Sequence, residues 1–184
     1  MKRVVLILLS VLFTATCFAK AKISVDKMKD GYRFIQTERT PHIFPYKDTW
    51  TDAAISLDLM TLGDLKKYSI CVYLFAEVNI EKGAKMLLKL ENDEIIELVA
   101  NSKSETIRNL VFTVLQIITF ADFSVTESQL QKIMENKVVK VRVETSIDNI
   151  DGAVYGNKFT KTIIDDYKLI EKTLQKKNSV YDDF

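Results

Sequence analysis

The stretch from Ala53 to Val78 limits what this chain can fold into more than any other. In AAISLDLMTL, Ile55, Leu57 and Leu59 alternate with Ser56, Asp58 and Met60, the period-two pattern of a half-buried strand. Gly63-Asp64 punctuates it, and YSICVYLFAEV follows as a nearly unbroken run of Ile, Val, Leu, Tyr and Phe. A short run rich in β-branched and aromatic residues suits a strand covered on both faces. On this pattern Asp58 belongs to the solvated side, and Cys71, mid-run, is a buried structural thiol behaving as a small hydrophobe.

Further strands are expected on either side. GYRFIQTERT holds a short one around Tyr32, Phe34 and Ile35. In AKMLLKLENDEIIELVA, Met86, Leu88 and Leu90 face one way, and Ile96 and Leu98 return on a second arm after Asn92-Asp93. Asn and Asp tolerate the left-handed positions of a tight turn, so this reads as a hairpin. TIRNLVFTVLQIITFADFSV reads as one long strand, bent or bulged, and KVVKVRVETS puts Val139, Val141 and Val143 on one face.

Two helices complete the pattern. Thr126-Glu127-Ser128-Gln129 fits a capping box, followed by Leu130, Ile133 and Met134, with Asn136 as the stop. Near the end, Phe159, Ile163, Tyr167, Ile170 and Leu174 fall at helical steps into one apolar stripe, and Lys172, Lys176 and Lys177 complement the helix dipole. The fold class is therefore α+β: a mostly antiparallel β-sheet or two-layer β-sandwich, one short inserted helix and a long C-terminal amphipathic helix.

The N-terminus reads as an export signal. Lys2 and Arg3 precede the apolar run Val4–Phe13, and small residues follow up to Ala19-Lys20-Ala21. The apolar stretch is shorter than the roughly 20 residues a spanning helix needs. Residues 1–19 are expected to be a signal peptide, with cleavage at 21 as the variant. Cys17 raises a second fate, lipidation, although Thr14 and Thr16 match the usual lipidation motif poorly. Residues 20–30 are Lys-rich and read as a flexible segment or a loosely held first strand, 31–178 as one globular domain, and 179–184 as a frayed tail. Cleavage leaves about 165 residues, enough for one core without staples. It also leaves Cys71 as the one cysteine, which excludes an internal disulfide.

Without Lys2 and Arg3 the formal charge of +1 becomes about −1, which argues against nucleic-acid binding, where a basic footprint is expected. A membrane contact is expected only if Cys17 is lipidated. With a single histidine and a single mature cysteine, a structural zinc site of the usual four ligands cannot form within one chain. Asp148, Asn149, Asp151 and Gly152 miss the alternate spacing of a calcium loop and read as a turn. No metal or cofactor is expected, and no catalytic constellation is recognisable.

One loop stands out. PHIFPYKDTW gathers both prolines, His42, Phe44, Tyr46 and Trp50. Pro41 and Pro45 argue against a central strand there. The rings either plug one end of the fold or form a recognition surface for a protein, peptide or glycan. The favoured expectation is an exported binding or assembly module of the periplasm, envelope or cell exterior. The alternatives are an exported carboxylate-dependent hydrolase and a subunit of a larger envelope complex, meeting its partner through the C-terminal stripe or an open sheet edge.

Overall fold

The computed structural model describes residues 21–45, 52–111 and 114–181; the side chains at 111, 114 and 177–181 fall outside that description. The two strands expected at the centre are present as β4 (Asp52–Leu62) and β5 (Leu65–Leu74), paired from Ala54↔Tyr73 to Leu62↔Leu65 around Gly63-Asp64. Nine more strands join them in one antiparallel sheet: β1 (Ile23–Lys29), β2 (Tyr32–Thr37), β3 (Thr40–Pro45), β6 (Lys85–Leu90), β7 (Ile95–Ala100), β8 (Glu105–Val111), β9 (Val114–Val125), β10 (Val138–Val143) and β11 (Ile150–Ala153). Their order is β1-β2-β4-β5-β9-β7-β6-β10-β11, with β3 beside β2 on the same edge of β4 and β8 on β9. The α+β class holds, and the sheet is single.

The sheet curls back on itself. The Tyr155 N–H donates to the Ile43 carbonyl at 3.1 Å, which brings the end of β11 against β3. Gly152 makes this approach feasible: a Cβ there would lie 2.3 Å from Phe44 Cδ2 and 2.5 Å from the Pro45 carbonyl oxygen. The inward face carries Ile35, Ile55, Leu57, Leu59, Ile70, Val72, Phe123, Leu98, Met86, Leu88, Val141 and Val143, all buried. Helix α1 (Glu127–Glu135) and helix α2 (Lys158–Tyr181) pack on each other, and α2 also meets β2, β3 and β4. Phe159, Ile163 and Ile170 of the expected stripe are fully buried, with Tyr167 and Leu174 packed at its margin.

Local signals explain the elements they predicted. Thr126 caps α1, accepting from the Gln129 N–H at 3.2 Å, while Gln129 Oε1 accepts from the Thr126 N–H at 3.0 Å. The β6–β7 hairpin turns through Asp93 at φ 65°.

Several expectations need correction. Residues 23–29 are an edge strand, held to β2 from Ile23↔Thr37 to Lys29↔Tyr32, so the strand alternative applies to most of the 20–30 segment. The long run after Thr106 is two strands, β8 and β9, with Val111 registered on Val114. A register shift between Val138 and Lys140 buries Val138 with Val141 and Val143 and leaves Val139 half-exposed. Ile150–Ala153, expected as a turn, pairs with β10. Pro41 and Pro45 lie in β3, whose pairing with β4 is interrupted between Thr40 and Phe44, a place where proline is tolerated. Helix α2 continues to Tyr181, into the segment expected to fray.

The Gly152 contact sets a test. Replacing Gly152 with Val should destabilise the fold by about 1–3 kcal/mol in chemical denaturation, because the Pro45 carbonyl belongs to the backbone and cannot rotate away. Unchanged stability would contradict closure at this point.

Candidate functional site

The outward face of the central strands is a lattice of cross-strand rows, because directly paired residues share a face. One row runs Gln36–Asp58–Ser69–Ser124 and the next Ser56–Cys71–Asp122, followed by Ala54–Tyr73–Phe120. Ser56 and Asp58 are 0% and 2% exposed. Asp58, read from the alternation as solvated, is thus a buried carboxyl; side chains of neighbouring rows cover it.

Its hydrogen-bond partners are Gln36 and Ser56. Gln36 Nε2 donates to Asp58 Oδ2 at 2.9 Å, and Ser56 Oγ donates to Oδ1 at 3.2 Å. The Tyr73 hydroxyl lies 3.4 Å from Ser56 Oγ and 3.5 Å from Gln36 Nε2. Burial first, and then the charge of Asp122, push the Asp58 carboxyl up to about 7; the donors from Gln36 and Ser56 only partly offset this. Asp122 Oδ1 is buried with no hydrogen-bond partner. Between Asp58 and Asp122, burial raises the Cys71 thiol well above its ordinary range, and the two carboxylates add to the rise. Cys71 is therefore the inert, buried thiol the sequence suggested.

An open groove of about 590 Å³ runs over this strip, lined in part by Phe34, Met60, Asp58, Ser69, Asn101 and Asp122. Beyond Tyr73, whose ring lies 5.9 Å from that of Phe120, the Arg39 guanidinium stacks over Tyr73 and Phe75 at 5.9 and 5.7 Å. The face thus combines rings, a cation, amides and carboxyls. A second concavity, of about 530 Å³, borders α2, and Arg33, Lys66 and Glu171 in its lining are already paired. Arg33 clasps Asp26 with two hydrogen bonds and reaches the Thr173 carbonyl, and Lys66 bonds Glu171.

The expected aromatic loop divides. Phe44 is fully buried and plugs the core, so it is not part of a recognition surface. His42, at φ 58°, is mostly exposed and bonds Asp52 through Nδ1; the Tyr155 hydroxyl donates to the same carboxylate at 3.0 Å. The His42 hydrogen bond holds the Asp52 carboxyl below its usual range. Tyr46 and Trp50 lie outside the described residues, as does Cys17. Asp151 is bound by Arg142 at 2.6 and 2.7 Å, which occupies the acid nearest Gly152.

A second buried carboxyl escaped the sequence reading. Asp166 of α2 is 1% exposed, accepts from Thr37 Oγ1 at 2.8 Å, and is pushed up to about 7 by burial. It sits on the inward side of β4, opposite Asp58. No protein-family model matches the chain, and no significant match exists among curated proteins or solved structures.

A carboxyl whose pKa rises from 3.8 to about 7 on folding binds its proton more firmly in the folded chain. Its contribution is fully present below the unfolded pKa and is lost as pH rises through the folded one. Asp58→Asn, which stays neutral, should therefore gain stability relative to the parent as pH climbs, by about 2–4 kcal/mol at roughly pH 8 and by almost nothing near pH 4. Thermal unfolding of both proteins across that range checks it; a pH-independent difference would contradict a raised Asp58.

Proposed function

We propose that the protein is an exported, non-enzymatic binding or assembly module that presents the outward face of β2, β4, β5 and β9 to its ligand. Export rests on the order of Lys2 and Arg3, the apolar run Val4–Phe13 and the small residues up to Ala21. It points to the periplasm or the cell exterior, or to the envelope if Cys17 is lipidated. One observation carries the binding reading: on the outward face a groove joins Phe34 and Met60 to the hydrogen-bonding groups of Ser69, Asn101 and Asp122, and a neighbouring concavity presents Gln36, Arg39 and Tyr73. Such a mixture suits a peptide or glycan, whose apolar faces stack while its polar edges bond. Chemistry is poorly served there. Cys71 is protonated and buried, and the single histidine is on another surface, bonded to Asp52.

A hydrolase remains the second reading because of one specific feature: Asp58 holds a proton near neutrality beside the Asp122 carboxylate, the pairing that acid–base hydrolysis uses. Assembly into a larger complex is supported by the β8–β9 ribbon, where Ile107, Leu110 and Leu115 are exposed.

The mature chain, with its N-terminus read by mass spectrometry, can be screened against glycan and peptide arrays while turnover is followed. An unmodified start at Lys20 or Lys22, binding without turnover, and loss of binding in Tyr73→Ala at unchanged stability are expected. Turnover abolished by Asp58→Asn or Asp122→Asn would replace the binding reading with the hydrolase.

A further inference from the structure

Beyond the polar strip, toward the β1–β2 and β4–β5 turns, the outward face changes character. Two rows remain, Lys29–Tyr32–Leu62–Leu65 and Lys27–Phe34–Met60–Lys67. The five apolar members are all exposed, from Phe34 at 36% to Leu65 at 67%. Four strands at about 4.8 Å spacing make this a flat patch on the order of 15 Å across. A contiguous apolar patch of this kind marks an interaction surface.

The rim narrows what can cover it. Lys27, Lys29 and Lys67 form no salt bridge among the described residues, whereas Lys66, on the opposite face, is bonded to Glu171. Of the neighbouring acids, Asp26 adjoins Lys27 but is on the opposite face, bound by Arg33, and Asp30 and Asp64 are in the turns bounding the patch and not in its rows. Protein interfaces are enriched in Arg and depleted in Lys; here every basic side chain on the two rows is Lys. A second copy laid face to face would set lysines against lysines with no carboxylate in either row to answer them. An anionic lipid surface fits both parts. Its headgroups neutralise three flexible ammonium groups, the apolar side chains enter the interfacial layer, and a tyrosine ring suits headgroup depth.

We infer that the rows Lys29–Leu65 and Lys27–Lys67 are a docking surface for an anionic lipid bilayer, so the protein meets a membrane peripherally whether or not Cys17 carries lipid. The patch shares Phe34, Met60 and Lys67 with the groove over Asp58 and Asp122, which therefore opens at the margin of the bilayer contact; Leu62, Leu65, Lys27 and Lys29 belong to the patch and not to the groove lining.

The test is flotation of the full chain with phosphatidylcholine vesicles, with and without phosphatidylglycerol. Two variants accompany it: Leu62→Ser/Leu65→Ser and Lys27→Glu/Lys29→Glu. All carry the same N-terminal residues, so any contribution from them cancels, and circular dichroism verifies the fold. Affinity for the anionic vesicles should fall at least about tenfold in each variant, since each lysine near such a surface matters roughly fivefold. The lysine variant should lose the preference for phosphatidylglycerol. Equal affinity in all three proteins, or no binding by any, would overturn the proposal. Self-association of the parent that the leucine variant loses would also overturn it, in favour of a second copy.

Discussion

Both faces of β4 are buried, and the rest of the molecule is arranged around that constraint. Ile55, Leu57 and Leu59 point into the core, and Ala54, Ser56 and Asp58 point outward, yet none of the six is more than 2% exposed. A strand covered on both sides must find partners for every polar group it carries. Ser56 and Asp58 do so through Gln36 on β2 and Tyr73 on β5. These bonds cross three strands, so the register that packs the core also assembles the candidate site. A slip of one residue would reverse the faces and destroy both.

Protonation completes the arrangement. A charged carboxyl in so dry a place is costly, and the simplest relief is to keep a proton. That happens on each side of β4, at Asp58 on the outward face and Asp166 against Thr37 on the inward one. Folding at neutral pH therefore works against two carboxyls that would ionise if released. The outward one has Asp122 as neighbour and is part of the floor of a groove. The inward one is sealed beneath α2 and serves packing.

Elements with local causes were legible in the sequence. The Thr126 capping box, the Asn92-Asp93 hairpin and the stripe from Phe159 to Leu174 all depend on residues within a few positions of each other, and all are present. Elements with distant causes were not. Phe112-Thr113 contains no Gly, Asn, Asp or Pro, so nothing local announced that β8 and β9 are separate strands. Gly152 is small because Phe44, more than a hundred positions earlier, sits against it. Asp58 follows the pattern of a solvated residue perfectly; its burial comes from neighbours on β2 and β5 that only the strand order supplies. Of the aromatic loop, Phe44 could be read as a plug or a surface from its setting, and closure of the sheet decides for the plug.

Burial beside Asp122 holds a proton on Asp58 up to near neutrality. Carbon-13 NMR of the aspartate side-chain carboxyls through a pH titration tests it most directly. The Asp58 resonance should titrate with a midpoint about 7, and Asp122→Asn should move that midpoint down. An Asp58 midpoint near the ordinary 3.8, unmoved by Asp122→Asn, would contradict it.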